Sequence, residues 1–404
     1  MTISVAIVIP TRNRADLAIE AIRSLQAIAD DRLTQIIVSN NSSDPAHVRR
    51  LADFCERSAD ERLLHLRPPG PLGMAEHWDW AIERALEATE ATHLGLHYDR
   101  RVSKPELTML FDAAGERPEV PITYRIDLVH PAPERFFVYQ MQWTGGLYEV
   151  RTERALELAS RGLLTDLWQA FPVLVNCLTP RSVLEKVRTR FGSFCASTSP
   201  ESCFGFRYCA VAKSYLHFDV PLGIHYGSAR SNGMGYLRGD GSGAFADFTR
   251  LRGDRPWLDS APLPGLSLGQ NSFYHEYALA RSQAGGEAFP PIEMQGYLND
   301  LARGLPWIAD PERRSEARAL LVGHGWREDE APGQWVPPPP LSMAERLGKA
   351  LNLFRADHLS VKPADPFTIG LKSESRALRY ARKHKRPAAA TDDFIAALEP
   401  MRLQ

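Results

Sequence analysis

The chain has 404 residues, 44% of them hydrophobic and 24% charged, and a formal charge of −1 at pH 7. That composition is ordinary for a globular protein and excludes a disordered chain, a collagen-like fibre and a coiled-coil rod. The near-neutral balance also excludes the basic excess of a dedicated nucleic-acid binder, so no nucleic acid is expected as a partner.

The cysteines, Cys55, Cys177, Cys195, Cys203 and Cys209, are odd in number, scattered, and contain no CxxC pair. Neither a disulfide framework nor a structural zinc site is expected, and the thiols read as reduced and the protein as cytoplasmic. The N-terminus, MTISVAIVIPTRNR, lacks the basic region and cleavage site of a signal peptide. No segment approaches the roughly 18 uninterrupted apolar residues of a membrane span.

Val5 to Ile9 (VAIVI) is a continuous β-branched run, as in a strand buried on both faces, and Pro10 closes it. Ala18, Ile22, Leu25 and Ile28 follow at helical spacing. Gln35 to Val38 (QIIV) reads as a second buried strand, ended by the polar run Ser39 to Asp44. Arg62 to Leu66 reads as a third strand and PPGPLG as a turn. Met74, Trp78, Ile82 and Ala85 form a helix face, and His93 to Leu96 a fourth short strand. This alternation predicts βαβ units and a mostly parallel central sheet flanked by helices, an α/β fold.

The middle is less regular. Phe136 to Tyr148 carries aromatics and a Gly145-Gly146 break. Arg151 to Leu163 and Pro180 to Arg190 read as helices, the latter ending before Gly192. Residues 227–243 (GSARSNGMGYLRGDGSG) form a loop. Residues 331–340 (APGQWVPPPP) resemble a semi-rigid linker. Beyond it, residues 341–404 hold 12 Lys and Arg against 7 Asp and Glu. There Leu341 to Phe354 can form an amphipathic helix with Met343, Leu347, Leu351 and Phe354 on one side, and Arg376 to Arg386 is strongly basic.

Ligands of an open parallel sheet bind beyond the C-terminal ends of its strands. Three polar clusters fall at such ends: Thr11-Arg12-Asn13-Arg14, Ser39 to Asp44, and His97-Tyr98-Asp99-Arg100-Arg101. Asn, Ser and Asp suit a base and ribose, and Arg grips phosphate. Any one cluster reads equally well as a polar turn, but three in register favour a ligand site. Neither GxGxxG nor GxxxxGK[ST] occurs after the first strand, which disfavours a Rossmann dinucleotide site and a P-loop. The glycines at 233, 235, 239, 241 and 243 read as a surface loop, with a lid over a nucleotide as the minority reading.

At these residues the chain resembles a known family. VAIVIPTRNR, then a helix, then QIIVSNNSSD, is similar to the start of a family 2 glycosyltransferase of GT-A fold. GPLGMAEHWDWAIERA resembles the segment that precedes the acidic D-x-D element, which falls here at HYDRR. LVNCLTPRSVLEKV, SPESCFGF and PLGIHYGSARSNG resemble the acceptor half of a bacterial subgroup. The resemblance covers about residues 3–235. It implies a domain over 1–245, with a nucleotide-binding half at about 1–105 and an acceptor half at about 106–245. A helical or irregular extension over 246–335 and a basic helical segment over 341–404 would follow.

The resemblance implies an inverting transfer from a nucleoside-diphosphate sugar, a UDP-sugar being the expected donor, to a hydroxyl of a glycan or lipid-linked acceptor in bacterial surface-polysaccharide assembly. Pro10, Thr11, Arg12 and Asn13 would line base and ribose, with Ser39 and Asn40 beside them and Asp99 as the first carboxylate of D-x-D. Arg101 stands where the second acid would be. Asp99 could hold a Mn²⁺ or Mg²⁺ ion coordinated largely by the diphosphate, or Arg100 or Arg101 could take over as the phosphate cation.

Glu201, behind Ser199 as N-cap and Pro200 at the first helical position, is the candidate general base, its pKa lowered by the helix dipole. The plain alternative is a Glu that only complements that dipole. His225 is a candidate metal ligand, though a lone His is more often structural, and Arg230 a candidate diphosphate contact. Trp78, Trp80 and Trp143 could stack on a sugar, with core packing the better reading of Trp78. The basic C-terminal segment reads as an extension packed on the domain, a peripheral contact at the inner face of the membrane, or a dimer surface. Two other functions stay open: a non-catalytic sugar-nucleotide-binding scaffold, and a nucleotidyltransferase with a similar sheet.

Overall fold

The computed structural model describes residues 3–132, 135–195, 198–227, 230–232, 243–252, 257–286, 288–308, 310–327, 369–384, 386, 388–389, 395–396, 398 and 401–402. The 331–340 linker, the 341–354 helix, and glycines 233, 235, 239 and 241 lie outside them.

The first hundred residues alternate as the hydrophobic pattern predicts: β1 (Val5–Thr11), α1 (Ala15–Gln26), β2 (Leu33–Asn40), α2 (Pro45–Glu56), β3 (Leu63–Leu66), α3 (Met74–Ala88) and β4 (His93–Leu96). Then come β5 (Arg101–Ser103), α4 (Leu107–Glu116), β6 (Ile122–Ala132), β7 (Arg135–Tyr139), β8 (Leu147–Arg151), α5 (Thr152–Ser160), α6 (Leu164–Leu167), β9 (Cys177–Pro180), α7 (Arg181–Phe191), α8 (Pro200–Cys209) and β10 (Ser214–His225). Helices α9 (Gly243–Arg252), α10 (Gly269–Ala284), α11 (Met294–Ala302) and α12 (Pro311–Gly323) follow. The C-terminal region adds β11 (Ile369–Leu371), α13 (Glu374–Lys383) and β12 (Met401–Arg402).

One mixed sheet runs β12-β8-β10-β6-β9-β4-β1-β2-β3. In that order β8 and β9 oppose their neighbours, and the other seven strands share one direction. The C-terminal ends of β1, β2, β4 and β10 therefore open on the same edge.

Side chains alternate across a strand, and β1 uses both faces. Val5, Ile7 and Ile9 enter a core with Ala18, Ile22 and Leu25 of α1 and Phe111 of α4. Ala6 and Val8 enter the opposite core with Trp78, Ala81, Ile82 and Ala85 of α3. That second core continues through Phe204 and Phe206 of α8 into Tyr274 and Tyr277 of α10, Leu298 and Leu301 of α11, and Leu321 of α12. The helices that follow residue 245 thus share a core with the strands before it.

Helix α7 starts after Pro180 and stops at Gly192, which takes the left-handed conformation (φ 76°) that glycine adopts without strain. The irregular middle proves to be strand-rich. β10 runs through Asp219, Pro221 and Gly223, residues that signal a break, because its pairing with β6 shifts register between Phe218 and Pro221 and again before Gly223.

The C-terminal region folds back onto the sheet. β11 pairs antiparallel with β7, and β12 with β8. Ala377 and Ala381 of α13 are buried against Val129, Val138 and Ile224. Of the readings of the basic segment, the packed extension describes residues 369–384 and 386; Arg386 donates to Gln140 O, and Trp143 Nε1 to Arg386 O. Among the described residues no helix is long and apolar enough to cross a membrane.

Candidate active site

The three polar clusters meet at the common edge. Thr11 Oγ1 at the end of β1 donates to Asp99 Oδ2 at 2.7 Å. Arg14 Nε reaches the same oxygen at 2.8 Å. Asp99 is buried, and its other oxygen, Oδ1, has no hydrogen-bond partner among the described residues.

Asn13 has φ 53°, a left-handed turn that an Asn tolerates. The turn lets its Oδ1 accept from the Ser43 and Asp44 amides, both at 3.0 Å, so the β1 and β2 loops are sewn together. Pro10 lies inside β1 opposite Ser39. Ser39 Oγ pairs with His77 Nε2 at 2.8 Å, and burial holds His77 neutral, its pKa down at about 3. Asn40 Oδ1 accepts from the Ser42 amide. Arg12 turns aside: its guanidinium pairs with Asp247 of α9 and donates to Asn41 O.

Tyr98 is the hub. Its ring stands edge-on to His225, 5.0 Å between centroids, and to Trp78 at 5.8 Å. The Arg100 guanidinium lies 5.2 Å from its centroid. Tyr98 OH donates to Glu201 Oε1 at 3.1 Å. Glu201 Oε2 is sealed from solvent with no hydrogen-bond partner among the described residues. Its pKa is raised: burial outweighs the α8 backbone amide and the Tyr98 hydroxyl, which pull the other way. The helix dipole expected from sequence is therefore the lesser influence. Ser199 does sit at the N-cap of α8, but its hydroxyl pairs with Ser202 Oγ rather than with a helix amide.

The adjacent arginines diverge. Arg101 is fully buried. Its Nη1 donates to Tyr124 OH at 3.1 Å and to Val175 O, and Nη2 to Asn176 Oδ1 at 2.6 Å. Its guanidinium points into the core and offers no hand to a phosphate in the crevice. Arg100, 7% exposed, makes no guanidinium hydrogen bond and no ion pair among the described residues. Burial, with Arg14 next, lowers its pKa to about 10. Arg230 is engaged by Asp16, at 3.0 and 2.8 Å, while its carbonyl accepts from Arg14 Nη1 at 3.1 Å. It orders the Arg14 side chain from behind.

For a divalent metal the donor set is thin. Asp99 Oδ1 and His225 Nδ1 are open, and burial keeps His225 neutral. No group of three or more His, Cys, Asp and Glu suited to a metal occurs among the described residues. The remaining Asp99 oxygen already serves Thr11 and a cation. These residues do not fit a resident metal.

Trp78 is core, as expected, and Trp143 is held by Arg386 O. Sequence reasoning passed over Arg14 and Tyr98 as site residues. Both lay inside the polar clusters, and what set them apart, the ion pair to Asp99 and the reach to Glu201, is a long-range contact.

No protein-family model matches the chain, and no curated protein sequence does. Among solved structures, S. aureus TarS 1-349 aligns at TM-score 0.42 and 12% identity over 79% of this chain and 86% of its own. The same fragment in complex with UDP-GlcNAc aligns at 0.42 and 13% over the same shares, and S. aureus TarS at 0.41 and 12%, covering 52% of its length.

Proposed function

We infer that the chain is an inverting glycosyltransferase that uses a nucleoside-diphosphate sugar, with UDP as the expected nucleotide, and a hydroxyl acceptor on a glycan or glycoconjugate. The observation that carries this reading is Glu201 Oε2: a buried carboxylate oxygen with no hydrogen-bond partner among the described residues, one tyrosine ring away from the buried Arg100 guanidinium, which makes no hydrogen bond or ion pair among them either. A base and a cation so arranged suit a single in-line displacement. Glu201 takes the acceptor hydroxyl proton as the acceptor oxygen bonds to the anomeric carbon. The bond from that carbon to the β-phosphate oxygen breaks, and its electron pair leaves on the diphosphate, which Arg100 faces. Ser39, Asn40, Thr11 and Asn13 stand on the side where base and ribose would lie, with Arg12 turned away to Asp247. The raised pKa of Glu201 suits a base better than the depressed value of an exposed helix-start carboxylate would.

The test is donor turnover in the wild type and in Glu201→Gln. The variant should bind nucleotide as before and lose about 10²-fold or more in transfer or donor hydrolysis, the range for removing a general base. Wild-type binding without turnover, unchanged by Glu201→Gln, would favour the scaffold reading.

A further inference from the structure

We propose that the strand-end edge around Tyr98 is a preformed site for a diphosphate dianion in which Arg100, aided by the charges of Arg14 and Arg101, does without a divalent cation. This deepens the glycosyltransferase reading and rests on it for the identity of the ligand, though not for the anion site itself.

The argument is a charge count. Three guanidiniums converge near Tyr98: Arg14 beside Asp99, and Arg100 and Arg101 at 5.2 and 5.5 Å from its ring centre. Two carboxylates oppose them. Asp99 is taken by Arg14, and Glu201 has no cation in ion-pair range among the described residues. Arg100 and Arg101 have no acid in ion-pair range among the described residues. The other titratable groups facing Arg100 are His130 and His225, which burial and the arginine charges keep neutral. The locale therefore carries one positive charge in excess, three guanidiniums against two carboxylates. A buried unpaired guanidinium is costly and is found where a ligand completes it.

A divalent cation would need to enter that positive field through scattered single atoms, Asp99 Oδ1, His225 Nδ1 and Glu201 Oε2, none of them part of a three-ligand group among the described residues. A diphosphate enters it with the opposite sign. Arg101 contributes through its field, since its Nη1 and Nη2 donors are engaged in the core; Arg100 is the one that can make contact. A planar guanidinium offers a phosphate paired N–H donors that a metal cannot.

The test is thermal stabilisation and titration of the full chain with inorganic pyrophosphate, UDP and GDP, in excess EDTA and then in Mn²⁺, on wild type and Arg100→Gln. We expect pyrophosphate and one nucleoside diphosphate to stabilise the wild type in EDTA, with less than a twofold gain in affinity on adding Mn²⁺. Arg100→Gln should weaken both at least tenfold while raising the melting temperature of the ligand-free protein, because an uncompensated buried charge is gone. That opposite pair of effects separates a ligand contact from damage to the fold; a variant that binds as the wild type does overturns the proposal. Stabilisation only with Mn²⁺ overturns it and leaves the glycosyltransferase reading standing. Metal-free pyrophosphate binding that no nucleotide improves supports the anion site and counts against the nucleotide-sugar reading. No stabilisation under any condition overturns the proposal.

Discussion

Tyr98→Phe separates the hydroxyl of the hub from its ring. The variant keeps the edge-on contacts to Trp78 and His225 and the face beneath Arg100, and deletes only the donor to Glu201. Burial, with Glu201 next, raises the Tyr98 pKa, so the hydroxyl keeps its proton and donates throughout the working range. A hydrogen bond to a carboxylate contributes about 1.5–3 kcal/mol net. At 3.1 Å this one is longer than the usual ~2.6 Å of a charge-assisted O–H···O⁻ pair, so the lower figure applies. About 1.4 kcal/mol corresponds to one pKa unit. Losing a bond that favours the anion raises the Glu201 pKa further, and a base must be unprotonated to act. The acid limb of the pH profile of kcat/KM should therefore move up by about one unit, with the plateau at high pH lowered much less. An acid limb that stays in place or moves down would refute the assignment of Glu201 as the base that Tyr98 tunes.

Other outcomes follow from packing and charge. Glu374→Ala removes the acceptor of the Gly227 amide, 2.8 Å away, on the loop that follows His225; its loss should speed hydrogen exchange at that amide about fivefold, the equivalent of about 1 kcal/mol, and Glu374→Gln should restore protection. Gly296→Ala would put a Cβ 2.1 Å from Arg161 O, where α11 abuts the end of α5; a loss of about 1–3 kcal/mol in denaturant unfolding is expected. Lys104→Met strips Asp127 of its buried partner at 2.6 Å. Burial already raises the Asp127 pKa against the pull of Lys104, so the fold favours its protonated form and loses stability as pH rises through that pKa. The variant should lose about 3 kcal/mol near neutral pH and clearly less in mildly acidic buffer, read from urea midpoints.

The sequence was most legible where neighbours in the chain decide the structure. VAIVI, QIIV and HLGL became β1, β2 and β4 because strands buried on both faces need no long-range information to be recognised. β10 was hidden because Pro221 and Gly223 read as breaks, and only its pairing with β6 accommodates them. The site divided the same way. Asp99, Glu201 and the strand-end clusters are marked by position, and they meet. The opposite fates of Arg100 and Arg101 were set by Tyr124, Val175 and Asn176, residues 23 to 75 positions away. The Glu201 pKa moves opposite to the sequence expectation because a helix start is visible in sequence and burial is not.

The return of the C-terminus to the sheet bears on how the chain is made. β7 and β8 are completed by β11 and β12, which are synthesised more than two hundred residues later. Until then both strands present rows of unpaired amides and carbonyls, an edge that other chains can extend. A nascent or truncated chain ending before residue 369 therefore faces a hazard different in kind from inactivity: it carries a template for intermolecular strand addition, which residues 369–371 and 401–402 otherwise cover.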